Sequence, residues 1–204
     1  LEGFTPLGRF DVLGFTLQYE LCCTSVLTIL DLGGIPLLSA QRSVEHPLVI
    51  AGGPGAANAE PLSRFVDLFV LGDGEEMLPK VCDTWIELRQ AGGDRQELLR
   101  QMAVRLPHVY VPGCYAPAEG PRGPVRPVTP DVPAAIRPAV VDNLDAVALP
   151  TRPVMPYIDC VQDRIAIEIM RGCPWRCRFC QSTTTKRPVR FRSVDTIVTA
   201  ALET

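Results

Sequence analysis

Hydrophobic residues in the first half of the chain form short runs that alternate with longer segments of helical periodicity. Apolar runs at residues 11–17, 48–51 and 68–71 are typical of buried parallel strands. Residues 20–32 and 75–90 place apolar side chains three or four positions apart, which predicts helices with one buried face. This alternation predicts an α/β fold in which helices cover both faces of a Rossmann-like parallel sheet.

The two strongest helices carry clear apolar stripes and end at glycine pairs. Gly33-Gly34 and Gly92-Gly93 follow them directly, and glycine ends helices because it adopts left-handed conformations at little cost. The stripes are formed by Cys22, Val26, Ile29, Leu30 and Gly33 in the first helix and by Met77, Val81, Trp85 and Leu88 in the second.

Weaker patterns predict further short elements. Residues 35–38 and 109–111 are candidate strands, and residues 61–66 a candidate short helix. Residues 94–105 predict a helix with Asp94 as its N-cap. Its apolar side is formed by Leu98, Leu99, Met102 and Leu106.

Proline dominates residues 112–156, which hold over half of the chain's 20 prolines. Proline removes amide donors and fixes φ, so this stretch is expected to lack regular structure. Residues 120–133 should be extended and exposed, as a strap or stiff spacer; a motif that binds an aromatic groove is the alternative.

The last part of the chain predicts a strand followed by a helix. Residues 164–170 alternate isoleucine with other side chains, which favours a strand. Ser193 is positioned to cap a helix over residues 194–203, with Asp195 in its first turn. Glu168 on the strand needs a partner if it is buried, and we expect an arginine from a part of the protein beyond this chain.

Between that strand and helix lie Cys173, Cys177 and Cys180, spaced C-x-x-x-C-x-x-C. Iron–sulfur clusters are held by thiolates, usually four, and three can hold three irons of a four-iron cube and leave the fourth iron open. Half of a zinc site and disulfide formation are the alternatives. Zinc sites usually pair C-x-x-C with a second pair or with histidines, and only His46 and His108 are present.

The run R-G-C-P-W-R-C-R-F-C-Q at residues 171–181 resembles the cluster loop of radical S-adenosylmethionine (SAM) enzymes, C-x-x-x-C-x-aromatic-C. The resemblance implies that Cys173, Cys177 and Cys180 bind a [4Fe-4S] cluster and that Phe179 lies near the adenine of SAM. It also implies reductive cleavage of SAM to a 5′-deoxyadenosyl radical, with an electron donor such as flavodoxin or ferredoxin and an unknown substrate.

Residues 10–90 resemble the cobalamin-binding-like domain that precedes the catalytic barrel in many of these enzymes. The matching pieces are V-I-A-G-G-P at 49–54 and D-L-F-V-L-G-D-G-E-E at 67–76. Ligands in such sheets bind beyond the carboxyl ends of the strands, so cobalamin would contact Gly52 and Gly53. Neither histidine lies in the D-x-H-x-x-G context of a cobalt ligand, and the usual S-x-L is only echoed by Thr16-Leu17-Gln18.

These resemblances predict three parts: a cobalamin-binding-like Rossmann domain at 1–93, a helical and proline-rich linker at 94–156, and the start of a radical SAM core at 157–204. The last part would be the first βα unit of a TIM-type barrel. A full eight-unit barrel takes about 250 residues, so we expect the chain to be a truncated piece of a longer enzyme and inactive alone.

Composition limits the class of protein and the compartment in which it is expected. Apolar residues make up 47% of the chain and the net charge is −3, which indicates a packed core and no strong electrostatic preference. The sequence shows neither an apolar run of the ~18–20 residues that span a membrane nor a signal peptide. Eight cysteines without a signal segment favour a reducing cytoplasm and metal-ligand use.

A basic run suggests one further partner class. Seven basic residues lie between residues 171 and 192 with no acid among them: Arg171, Arg176, Arg178, Lys186, Arg187, Arg190 and Arg192. They would stabilise the negative cluster and the SAM carboxylate; an RNA-binding patch is the alternative. Two rival functions stay open, a methylthiotransferase-like RNA-modifying enzyme with a second cluster and a non-catalytic iron–sulfur or zinc module.

The other cysteines predict little chemistry. Cys22 and Cys82 fall on apolar helix faces and are expected to be core residues. Cys23 favours no particular role, Cys114 on a loop is a candidate reactive thiol, and Cys160 a candidate ligand of a second metal site.

Overall fold

The computed structural model describes residues 3–118, 120, 123–152 and 164–204. Contacts divide the chain into two compact units, Leu1–Ala139 and Val140–Thr204. In the part of the chain that is described, none of the helices has the length and apolar character needed to cross a membrane.

The first unit is built on a four-stranded sheet in the order β1-β2-β3-β4. The strands are β1 (Val12–Thr16), β2 (Leu48–Gly52), β3 (Leu68–Val70) and β4 (Val109–Tyr110). The first three are parallel, which confirms the α/β prediction, whereas β4 runs antiparallel to β3. The reason is that two helices, not one, separate β3 from β4, so the chain reverses direction once more before it rejoins the sheet.

Three helices belong to this unit: α1 (Cys22–Leu32), α2 (Met77–Ala91) and α3 (Arg95–Arg105). All three were predicted. The chain leaves α1 through Gly34 at φ +66° and α2 through Gly92 at φ +80°, conformations that suit glycine. α3 begins at Asp94, whose carboxylate accepts a hydrogen bond from the Gln96 amide at 3.0 Å.

The sheet separates two apolar clusters because successive residues of a strand point to opposite faces. Leu48 and Ile50 of β2 belong to a cluster with α2 and α3, which includes the predicted stripe of α2. Val49 and Ala51 belong to the other cluster, with Val26 and Leu30 of α1. Helices therefore cover both faces, as the hydrophobic pattern predicted.

A buried carboxylate joins the segments on either side of the sheet. The side chain of Asp67 is completely buried and pairs with Arg42 at 3.0 Å and Arg95 at 2.8 Å. It also accepts hydrogen bonds from the Ser39 hydroxyl at 2.5 Å and the Val49 amide at 2.7 Å. Each carboxylate oxygen thus has two donors, which satisfies a charge that would be costly to bury alone.

Several weaker predictions are corrected. Residues 35–38 form no strand, and the helix predicted at 61–66 is a 3-10 turn at Glu60–Leu62. The proline-rich stretch contains an antiparallel hairpin of β5 (Tyr115–Pro117) and β6 (Val125–Pro127). Proline is tolerated there because a two-stranded hairpin consists only of edge strands.

The second unit contains β7 (Met170–Arg171), α4 (Ser182–Thr185), β8 (Arg190–Phe191) and α5 (Val194–Glu203). α5 is capped by Ser193 as predicted. The strand predicted at 164–170 was wrong in extent, since only Met170 and Arg171 pair with a neighbour, β8. β8 is itself two residues long, so residues 165–169 have no continuous ladder in the described part of the chain.

The predicted boundaries cannot all be compared with this fold. Residues 94–139 contribute α3 and β4 to the first unit, while the boundary near residue 157 and Cys160 lie outside the described residues. The three-part division stays a prediction.

Candidate functional site

The cysteine motif lies in the connection between the two strands of an antiparallel ladder. Residues 172–189 leave β7 and return to β8, where Arg171 is paired with Arg190. We call this segment the cysteine loop. A turn within it is closed by the Cys180 amide, which donates to the Cys177 carbonyl at 3.1 Å. The Thr183 hydroxyl donates to the Cys180 carbonyl at 2.9 Å and ties the turn to α4.

Gly172 sets the entry to the cysteine loop. Its φ is +92°, and a Cβ at this position would lie 2.6 Å from the Lys186 carbonyl oxygen and 2.8 Å from that of Pro188. The first residue of the loop therefore lies directly against its last turn. Only glycine combines this φ with so close a backbone approach.

The three thiols have the chemistry that an iron–sulfur cluster needs. None is in a disulfide; Cys177 is exposed, and Cys173 and Cys180 are half-buried. Across the described residues, no three His, Cys, Asp or Glu side chains are grouped so that they could hold a metal ion. The donors are thus present on one anchored loop, in number and type suited to a cluster, without a preassembled site.

Two aromatic side chains of the loop face solvent. Phe179 is 92% exposed and Trp175 71% exposed. Exposed aromatic faces of this size are suited to stacking against a planar ligand such as a nucleobase.

Glu168 has partners within this chain, which corrects the expectation of an arginine from elsewhere. Its carboxylate accepts from Arg171 Nε at 2.7 Å and from Arg192 Nη2 at 3.0 Å. The hydrogen bond from Arg171, followed by that from Arg192, lowers the pKa of Glu168 against the opposing effect of burial. No sequence signal identified these partners, although Glu168 is the acid that immediately precedes the basic run.

Much of that basic run holds the chain itself together. Arg187 donates to the Thr183 carbonyl at 2.6 Å, and Arg190 to the Val141 carbonyl at 2.7 Å. Arg192 is buried and donates to the carbonyls of Leu144 and Val147. Within this run, the exposed cations whose side chains make no hydrogen bond or ion pair with the described residues are Arg176, Arg178 and Lys186.

Gly52 and Gly53, the predicted cobalamin contacts, lie at the carboxyl end of β2, beside the carboxyl end of β1. The Leu17 amide donates to the Gly52 carbonyl, and the Gly55 amide donates to the Leu17 carbonyl, both at 2.8 Å. Gly53 has φ +87°, and a Cβ there would lie 3.0 Å from the Leu17 carbonyl oxygen. Glycines at this position could let a ligand approach the backbone closely. At Gly53 and Gly55 the backbone of Leu17 occupies that space instead.

The third strand end is closed in the same way. The Ala139 amide donates to the Leu71 carbonyl at 2.8 Å, and the Asp73 amide donates to the Ala139 carbonyl at 2.9 Å. Gly72, at φ +91°, lies between these bonds, and a Cβ there would overlap the backbone of Ala139. Both histidines also bond within the chain, His46 to Ser43 and His108 to the Arg137 carbonyl.

A cleft of about 860 Å³ lies near the amino end of β3. Ligand binding was predicted at the other edge of the sheet, beyond the carboxyl ends of the parallel strands. Its lining includes Ser39 and Asp67 before β3, Asp94 at the start of α3, and Tyr110 and Cys114 at and after the end of β4. Because β4 is antiparallel, its end meets the amino ends of the parallel strands. Sequence reasoning missed this cleft, since it assumed an all-parallel sheet.

Cys114 is not the reactive loop thiol that was predicted. It is only 4% exposed and belongs to the apolar cluster of α2 and α3. Burial raises the pKa of this thiol, which lowers its thiolate fraction and its reactivity. Cys22 packs against the α1 cluster as predicted. Cys82 is half-buried and belongs to neither cluster, because it follows Val81 and lies beside the buried stripe of α2.

Comparison with known proteins places the first unit in a family. Residues 1–112 match the family described as "Radical SAM proteins, N-terminal". The uncharacterized protein MJ0966 of Methanocaldococcus jannaschii is 25% identical to this chain over 206 aligned positions. That alignment covers the whole of this chain and 37% of MJ0966, so the chain spans little more than a third of that relative's length.

Proposed function

Because the chain belongs to the radical SAM proteins, as its match over residues 1–112 shows, we propose that Cys173, Cys177 and Cys180 hold a [4Fe-4S] cluster and leave one iron to SAM. A cluster held in this way and reduced by one electron from an external donor would supply the chemistry that cleaves SAM to methionine and a 5′-deoxyadenosyl radical, for hydrogen abstraction from a substrate of unknown class. The activity is proposed for the whole protein, since this chain spans 37% of the length of its relative MJ0966.

One observation carries the proposal: three unpaired thiols lie on one loop whose two ends are held together by β7 and β8. Such an anchored loop can bring its thiolates to one cluster with little additional loss of chain entropy, because its ends are already fixed. Phe179 supports the SAM part, since its ring is accessible to an adenine.

For cobalamin, the proposal rests on Gly52 more than on Gly53. A Cβ at Gly52 would meet its nearest atom, the Val70 carbonyl oxygen, at 3.6 Å, an ordinary contact distance. Gly53 is already in close contact with Leu17. Cobalamin contacts at this edge would therefore be made mainly by the backbone around Gly52.

The electron donor that we propose is an acidic protein such as flavodoxin or ferredoxin. Arg176, Arg178 and Lys186 are exposed on the cysteine loop and are not neutralised by the described residues. Positive charge beside a redox centre steers an acidic partner to it and speeds association at low salt. An RNA substrate would use the same three cations, and it is the alternative outcome of a binding experiment.

Electron paramagnetic resonance on anaerobically reconstituted, dithionite-reduced protein tests the proposal, with and without SAM. We expect a reduced four-iron signal that shifts when SAM is added and is lost in Cys177→Ala. Cys114→Ala is the matched control, because Cys114 lies in the first unit's core and should leave the signal unchanged.

Other outcomes separate the rival functions. A signal that SAM does not shift would reduce the assignment to a cluster-binding module. Bound zinc without an iron signal would overturn it. Twice the iron of one four-iron cluster would favour the methylthiotransferase-like alternative.

A further inference from the structure

Glu168 links the two ends of the cysteine loop. On the entry side it accepts two hydrogen bonds from Arg171, at 2.7 Å from Nε and 3.2 Å from Nη2. On the exit side it accepts from Arg192 at 3.0 Å. Since Arg171 ends β7 and Arg192 follows β8, one carboxylate spans the mouth of the loop.

The exit side of this bridge is rigidly held. The side chain of Arg192 is 1% exposed, and its other amino group donates to the carbonyls of Leu144 and Val147. The Arg192 amide also donates to the Ile169 carbonyl at 3.0 Å, which extends the β7–β8 pairing. Arg192 is therefore held in place by the backbone around it. Its hydrogen bond to Glu168 in turn holds Glu168 where it can accept from Arg171.

The charges favour a carboxylate at this point. Without Glu168, the buried Arg192 would lose the carboxylate that accepts from its Nη2, and Arg171 would lose the one that accepts from its Nε. Glu168 is 34% exposed, so water partly offsets the loss of its charge, and the cost falls mainly on Arg192, whose side chain is 1% exposed.

The entry side leads directly to the metal-binding thiols. Arg171 is followed by Gly172, which lies against the backbone of residues 186–189, and then by Cys173. Any movement of Arg171 away from β8 would change the distance between Cys173 and the turn that carries Cys177 and Cys180. Groups that orient metal ligands in this way commonly change metal affinity by about 10–100-fold when they are removed.

We propose that Glu168 is a positioning residue for the cysteine loop, acting through Arg171 and Arg192. The inference rests on the proposed function, because the purpose of the fixed loop is to bring three thiolates to one cluster. Glu168 touches neither the cluster nor SAM in this role. Its negative charge also offsets the adjacent arginines and so sets the local charge around the cluster.

The test compares Glu168→Gln with Arg171→Met, their double variant, and the control Glu87→Gln. Gln keeps the size of Glu168 and removes its charge. Glu87 accepts from Arg105 at 2.9 Å in an exposed pair of the first unit, so its variant makes the same change of side chain and charge away from the cysteine loop.

Two readouts are needed, one with metal and one without. In the reconstituted protein, release of iron to a chelator should be about 10-fold faster in Glu168→Gln than in the unaltered chain, and unchanged in Glu87→Gln. Loss of a negative charge should also shift the reduction potential of the remaining cluster to a more positive value. In the metal-free protein, amide hydrogen exchange over residues 172–189 should be faster in Glu168→Gln than in the unaltered chain. In Glu87→Gln it should be unchanged.

The double variant tests whether the residues act together. If Glu168 acts through Arg171, the double variant should release iron no faster than the worse single variant. Arg171→Met also serves if Glu168→Gln folds poorly, since it removes one arm and leaves the pair with Arg192.

The outcomes distinguish this inference from the proposed function. Iron release and hydrogen exchange that match the unaltered chain in Glu168→Gln would overturn the positioning role even if the cluster and the SAM effect are present. If the unaltered chain binds no cluster, the proposed function fails, and hydrogen exchange of the metal-free loop still decides whether Glu168 positions it.

Discussion

At the scale of single residues, the two units depend on one carboxylate each. Asp67 holds two arginines in the first unit, and Glu168 holds two arginines in the second. The sequence predicted neither arrangement, because Asp67 joins residues far apart in the chain and Glu168 joins Arg171 to Arg192 across the cysteine loop. Hydrophobic periodicity reports which face of an element is buried, and it carries no information on which charges meet.

Replacing Asp67 should be among the most destabilising changes in the first unit. Asp67→Asn leaves Arg42 and Arg95 buried without a compensating charge, and we expect a loss of about 3–5 kcal/mol in the free energy of unfolding. Urea unfolding followed by circular dichroism measures it. The control is Asp11→Asn, since Asp11 is in an exposed pair with Arg89, where a loss of about 0–1 kcal/mol is expected. Equal losses in the two variants would contradict this role of Asp67.

The entry glycine of the cysteine loop can be tested against another glycine of positive φ. Gly172→Ala combines a positive φ with a Cβ only 2.6–2.9 Å from backbone atoms of residues 186–189, whereas Gly92→Ala has a positive φ and open space. Backbone strain alone costs about 1–3 kcal/mol at either site. Gly172→Ala should therefore increase hydrogen exchange across residues 172–189 far more than Gly92→Ala does across residues 90–95.

At the scale of elements, predictions succeeded where the signal was local. Stripes at helical spacing and the glycine pairs predicted α1 and α2, and Asp94 predicted the start of α3. Prediction failed for β7, because isoleucine alternation indicates strand propensity and the strand forms only where a partner is available. It also failed for the direction of β4, which is decided by the number of helices before it.

The N-cap of α3 offers a test at this scale. Asp94→Ala removes the acceptor of the Gln96 amide and should lower the free energy of unfolding by about 1 kcal/mol. Asp94→Asn keeps an acceptor at the same position and should retain most of that stability. Thermal unfolding of the two variants beside the unaltered chain measures the difference, and an alanine variant as stable as the asparagine one would argue against the cap.

At the scale of the whole molecule, the two units differ in how they are stabilised. Every member of both apolar clusters lies within residues 1–139. The described residues of the second unit bury few side chains, among them Val141, Leu144, Thr183, Arg192 and Ala200. The candidate cluster site was proposed from sequence because its motif is contiguous, whereas the contacts of Arg192 with Glu168 and Leu144 that support it are non-local.

Separate production of the two parts should show this difference. Residues 1–139 should fold alone, with a cooperative urea transition by circular dichroism, because they contain both clusters and the Ala139 bridge. Residues 140–204 alone should unfold without a cooperative transition, since the small core that the described residues of this unit form cannot offset the loss of chain entropy. A non-cooperative transition in residues 1–139 would show that the first unit needs the second.

The bridge between Gly72 and Ala139 has a consequence for how the protein is made. Ribosomes release a chain from its amino end, and domains generally fold in that order. The carboxyl edge of the sheet is completed by Ala139, which is synthesised before any cysteine of the loop. The first unit is thus able to finish folding while the thiols are still unmade, and a cluster of the kind proposed would be assembled beside a unit that is already in place.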